Sequence, residues 1–231
     1  MSSNSTACKV NVVTAARSTR AVRGRRSTRP SGDDREQAIL ATAERLLEDR
    51  SFADISVDDL ARGAGLSRPT FYFYFKSKEA VLLSLLEPLI ARADSEFDGA
   101  VQRLPTDPRK TWRNGIKAFF TAFDSQRAVA RAGTEALATS PEIRAVWSGF
   151  MQRWIDQTAV MIGAERARGA APETIPATDL ATSLNQMNER MMMATLSAEQ
   201  PAVSKDRVVE TLAHIWVSSI YSEVDPVGIA D

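Results

Sequence analysis

Residues 56–75 constrain this chain more than any other stretch. Val57, Leu60, Ala61 and Ala64 form one apolar helical face behind Ser56, with Asp59 three residues on as the carboxylate half of a capping box. Gly65 then lets the backbone turn with positive φ. Ser67 caps the next helix, and Pro69 falls in its first turn, where a missing N–H costs nothing. Two short helices joined by a glycine turn make a helix-turn-helix, whose second helix enters the DNA major groove by its N-terminal end. Gly63 and Gly65 are not a dinucleotide loop, because no strand precedes them and no third glycine follows at the right spacing.

The rest of the chain also follows a helical period. Ile39, Ala43, Leu46 and Leu47 recur at three- and four-residue steps after the capping signals Ser31, Asp33 and Asp34. Further helices are expected at about 79–98, 109–125, 127–139, 141–168, 177–197 and 204–222, punctuated by Pro105, Pro108, Pro141, Pro172, Pro176 and Pro201. No alternating segment competes. The expected fold is all-α: a three-helix unit over 33–78 and a larger helical domain over 79–223, flanked by a basic arm (1–32) and a flexible tail (224–231).

The formal net charge of zero hides a division. Residues 1–30 carry +7 and no acid, residues 31–78 carry −2, and residues 79–231 carry −5. An arm rich in Arg, Ser and Thr is expected to be disordered when free, with charge to neutralise several phosphates; Arg23, Arg25 and Arg26 are its candidate DNA contacts. A secretory signal does not fit, since Asn11 and Thr14 break the short apolar stretch, whereas an organellar transit peptide fits the composition. The single cysteine, Cys8, and single histidine, His214, leave no disulfide framework, no multi-cysteine or His-rich metal site and little room for a catalytic dyad. No catalytic residue, metal or cofactor is therefore expected, and no apolar run is long enough for a membrane span.

On the second helix, Phe71 and Phe75 lie four apart and should pack inward, leaving Arg68, Thr70, Tyr72, Phe73 and Tyr74 outward. Tyrosine hydroxyls can bond phosphates and an apolar ring can meet a thymine methyl. The block from Ile39 to Leu86, with its Ala-Gly-Leu-Ser turn, Thr-Phe-Tyr-Phe-Tyr-Phe helix and Lys-Ser-Lys-Glu continuation, resembles the DNA-binding domain of the TetR family of transcriptional regulators. That resemblance puts Thr70 and Phe73 nearest the bases and Tyr72, Tyr74 and Lys78 on phosphates, with Ser67 and Arg68 at the leading end.

Four stripes mark the C-terminal half: Trp112, Ile116, Phe119 and Phe123; Trp147, Met151, Trp154 and Thr158; Asn185, Asn188 and Met192; Leu212, Trp216 and Ile220. Such stripes fit packed core and lined pocket equally. Gly115 costs about 1 kcal/mol relative to Ala inside a helix, which an open space beside it would explain, and buried amides need partners. The segments "GAAPETIPATDLATSLNQMNER" and "EQPAVSKDRVVETLAHIWVSSIY" are similar to one branch of the same family. That branch implies a long apolar channel lined by Trp112, Gly115, Phe119, Phe123, Trp147, Met151, Trp154, Thr158, Asn185, Asn188 and Trp216, with both amides bonding a ligand carbonyl and Trp216 closing the pocket. Ile116 shares the Trp112 stripe and joins this set. Met191, Met192 and Met193 could reshape one wall. Glu189 and Arg190 are expected in surface or interface ion pairs.

The last two helices are apolar around much of their circumference, which suits a homodimer interface. The resemblance implies a cytoplasmic, nucleoid-associated repressor that binds double-stranded operator DNA as a homodimer and is released by a small apolar effector, with a neighbouring flavin monooxygenase gene under its control. Pro88 should bend the connecting helix that carries the coupling. The alternative is a DNA-binding regulator with no small-molecule switch.

Overall fold

The computed structural model describes residues 32–101 and 106–222. Arg23, Arg25, Arg26, Cys8 and the tail lie outside them. The described residues form α1 (Gly32–Asp49), α2 (Val57–Gly63), α3 (Arg68–Tyr74), α4 (Lys78–Val101), α5 (Pro108–Asp124), α6 (Arg127–Thr139), α7 (Pro141–Ala167), α8 (Ala177–Leu196) and α9 (Val208–Tyr221). No strand occurs among them. The expected helices are present, with starts and stops near the predicted capping and proline positions; α9 begins four residues later than its apolar period suggested.

Local chemistry sets the ends of the short helices. Ser56 Oγ accepts from Asp59 N–H at 3.1 Å, and the Asp59 carboxylate accepts from Ser56 N–H at 3.0 Å, closing the capping box. Hydrogen bonds from the Ser56 side chain and backbone hold the Asp59 carboxyl down at about 2. A depressed acid favours the fold above the unfolded carboxyl range, near 4, and loses that contribution as pH falls towards about 2. Asp59→Asn should therefore flatten the acid limb of the stability profile between about pH 4 and pH 2, as read by urea unfolding. Gly65 turns with φ of 69°, the left-handed value expected for it.

Gly63 has a different reason to be glycine. A Cβ there would stand 2.4 Å from Thr42 Cγ2 of α1, so α2 packs on α1 backbone-close. Gly63→Ala should cost about 1–3 kcal/mol in denaturant unfolding by forcing those helices apart.

The helices share one continuous apolar core from Ile39 to Ile220. α1 packs on α2, α4 and α6; α4 lies against α5, α6 and α7; α7 and α9 pack on α8. α4 continues as a helix through Pro88, whose ring removes one backbone donor from its middle. α6 reaches both ways. Arg131 donates to Leu47 O at 2.6 Å, at the end of α1, while Arg127 on the same face donates to Leu196 O and Thr195 O, at the end of α8. Cationic donors on helix-end carbonyls are favourable.

A candidate DNA-binding head and the aromatic pocket behind it

α3 turns Arg68, Tyr72 and Phe73 outward as its sequence implies, whereas Thr70 is half-buried and Tyr74, expected outward, packs partly on the core. Phe71 is fully buried and Phe75 nearly so, with ring centroids 6.2 Å apart, while Phe73 is 82% exposed and Tyr72 45% exposed. Ser67 caps the helix through Thr70 N–H at 3.3 Å and meets the Thr70 hydroxyl at 2.8 Å. Arg68 pairs with Asp58 at 3.2 Å and donates to the Tyr72 hydroxyl at 3.3 Å. These contacts fix the direction of an otherwise solvated side chain. Tyr74 is half-buried, packs on the core and meets Phe73 edge-on at 5.2 Å.

Lys78 occupies a place that the sequence did not suggest. Its ammonium donates to Phe52 O at 2.9 Å, Ala53 O at 3.2 Å and Ile55 O at 2.9 Å, and sits 4.6 Å from the Phe52 ring centroid. Three protons meet three carbonyls, so in this geometry Lys78 ties the start of α4 to the α1–α2 loop and has no N–H left for a phosphate. No periodicity marks such a role, since the acceptors are backbone atoms of a loop.

Behind the head, α4, α5, α7, α8 and α9 surround an aromatic cavity of about 40 Å³. Trp112, Gly115, Ile116, Phe119, Met151, Trp154, Asn185, Asn188 and Trp216 line it, together with Ala93, Thr111, Met161 and Glu189. Phe119, Phe123, Trp147 and Trp154 close a circuit of ring contacts, at 4.6, 5.8, 6.1 and 4.9 Å in turn. Phe123 and Trp147 line an adjoining cavity of about 20 Å³ with Glu189 and Met193. Trp147 also borders an apolar groove of about 270 Å³ between α4 and α7. Met192 is fully buried, so only part of the methionine triplet faces these spaces.

The polar groups here divide by whether they are already used. Asn185 donates to Ala181 O at 2.9 Å and Thr158 Oγ1 at 3.2 Å, which employs both amide protons; Thr158 is fully buried behind it. Asn188 Oδ1 and Trp216 Nε1 are buried without a hydrogen-bond partner among the described residues. Trp112 packs on Trp216 at 5.3 Å and donates to the Tyr221 hydroxyl at 3.0 Å, which in turn donates to buried Glu165 at 2.8 Å. Glu165 is held by Arg168 at 2.7 and 2.6 Å. The Tyr221 hydroxyl is pushed well above its ordinary range, by burial first and by the Glu165 charge in addition.

Glu189 corrects the sequence reading. Only Arg190 makes the expected surface ion pair, to Glu199 at 2.7 Å. Glu189 turns into the apolar interior and accepts from the Trp147 indole N–H. Burial pushes its carboxyl above the usual range, and the Trp147 N–H opposes this only in part. A Glu-Arg pair after a helical amide reads as a solvated face, and only the α7–α8 packing angle decides otherwise.

Residues 39–85 match the family described as bacterial regulatory proteins, tetR family, and residues 112–222 match Transcriptional regulator EthR, C-terminal domain. The chain is 66% identical over 218 residues to the HTH-type transcriptional regulator EthR of Mycolicibacterium smegmatis, covering 94% of this chain and 100% of that one. This chain is a TetR-family transcriptional regulator of the EthR type. EthR of Mycobacterium tuberculosis H37Rv is 61% identical over 202 residues, covering 87% of this chain and 94% of that one. Among solved structures, a putative TetR-family regulator from Syntrophomonas wolfei shares the fold, with a TM-score of 0.66 at 18% identity over 85% of this chain and all of the other. No helix among the described residues is long and apolar enough to cross a membrane.

Proposed function

We propose that this EthR-type regulator is a ligand-responsive repressor. Two subunits, joined through α8 and α9, set their α3 helices in successive major grooves of an operator, and an apolar effector in the aromatic cavity changes the spacing of the heads. Half-exposed Met187 and Met191 on α8, and Val209 and Ile215 on α9, suit such an interface. Arg23, Arg25 and Arg26 add phosphate or minor-groove contacts. The controlled gene would be a neighbouring flavin monooxygenase gene.

One observation carries the switch. The Trp154 indole N–H, in the cavity wall, donates to Asp94 on α4, while Lys78 at the other end of the same helix grips the head. Pro88 lies between these two attachments. A ligand that displaces Trp154 therefore acts on the helix that orients the head, and shifts the equilibrium by its differential affinity for the two arrangements.

Asp94→Leu tests this path without touching a cavity wall. Methyl 4-phenylbutanoate should still raise the melting temperature of the variant, yet about tenfold more of it should be needed to release operator DNA in a gel shift. A release curve identical to that of the wild type would remove the path. The competing reading, a DNA-binding regulator without a switch, draws on the cavity volume of about 40 Å³, small beside the roughly 300 Å³ of a typical ligand site. It expects no change in melting temperature or operator complex at any ester concentration.

A further inference from the structure

Asn188 and Glu189 are consecutive on α8, and both line the aromatic cavity. Asn188 is nine-tenths buried and its Oδ1 has no hydrogen-bond partner among the described residues. Glu189 receives one indole N–H from Trp147, and no basic side chain among the described residues pairs with it. The wall thus offers acceptors on two consecutive residues, and no basic side chain among the described residues pairs with the carboxylate. A carboxylate in apolar surroundings is costly unless a cation or several donors satisfy it. A wholly apolar occupant would bury this one further and supply nothing.

An aromatic wall suits the same partner. Trp154 lines the cavity, Trp147 packs edge-on against it, and an indole face is the strongest aromatic site for a cation. An ammonium brings up to three donors and a positive charge to a cavity wall that carries a carboxylate and an orphaned amide oxygen beside the Trp154 ring. Trp216 Nε1, in the same lining and without a partner among the described residues, can take one acceptor on the ligand body.

We propose that the cavity takes an effector whose apolar body carries a basic nitrogen, protonated at neutral pH, that donates to the Glu189 carboxylate and to Asn188 Oδ1. This rests on the reading of the cavity as the effector pocket. It narrows the effector class from apolar compounds at large to apolar amines.

The test is calorimetric titration of 4-phenylbutylamine and methyl 4-phenylbutanoate into the full-length wild type and Glu189→Gln at neutral pH. Glutamine keeps the shape and its amide oxygen can still accept from Trp147, while the charge is lost and the second acceptor becomes a donor. The amine should bind the wild type more tightly than the ester does. In Glu189→Gln it should weaken about 10–100-fold, while the ester changes by less than about twofold. An amine that binds the variant as well as the wild type, or that weakens no more than the ester, overturns the proposal. If Glu189→Gln does not fold, the wild-type comparison decides alone. Ester binding without amine binding sinks the amine reading and leaves the effector pocket standing, whereas no binding of either sinks both.

Discussion

Phe71→Ala is expected to destabilise the protein by about 3–5 kcal/mol and to abolish operator binding at growth temperature. Phe71 is fully buried between Tyr72 and Phe75, with an edge contact to the Tyr72 ring at 5.6 Å. Truncation removes a large transfer contribution and leaves a cavity that two short helices cannot close without moving α3. Urea unfolding followed by circular dichroism checks the magnitude. Phe73→Ala is the control: at 82% exposure it should leave stability within about 0.5 kcal/mol while weakening operator binding. A loss below about 1.5 kcal/mol for Phe71→Ala would mean that α3 is not anchored by that ring.

Deleting residues 1–31 is expected to change the salt dependence of DNA binding more than any point substitution. The segment carries seven arginines and lysines and no acid. Each phosphate contact contributes about −0.9 to the slope of log affinity against log salt, so losing all seven flattens the slope by up to about six per subunit. Affinity near physiological salt should fall about 100-fold or more. Anisotropy titrations from low to moderate salt give the slope directly. An unchanged slope would assign the arm to something other than DNA, such as targeting.

These two changes probe parts that differed in legibility. The head could be read residue by residue because its determinants are local: a serine cap, a positive-φ glycine, an i, i+4 phenylalanine pair. Phe71, Phe75, Gly65 and Ser67 stand where short-range rules put them. The helical stripes put Trp112, Phe119, Trp154 and Asn188 on inward faces but fitted core and pocket equally; only the family resemblance marked them as lining, where the structure puts them. The groups that connect these parts were not. Lys78 is bound by loop carbonyls more than twenty residues away, Arg131 reaches the end of α1, and Asp94 meets an indole on α7. Each is a charged residue on a helix, which sequence patterning assigns to solvent. Their partners are fixed only when distant helices pack. Glu189 was misread for the same reason, and the donors of Asn185 were spent on Ala181 and Thr158 in a way that spacing cannot show.

Communication between cavity and head is the central claim, and head spacing is its most direct observable. Cys8 is the only cysteine, so a Cys8→Ser, Lys76→Cys protein carries one spin label per subunit on the exposed end of the head. Double electron–electron resonance on the dimer then reports the distance between heads. Adding methyl 4-phenylbutanoate should move that distribution by several ångström, on the order of other hinge-like switches, at the concentration that releases operator DNA. An ester that binds and raises the melting temperature while leaving the distance and the operator affinity unchanged would contradict the account.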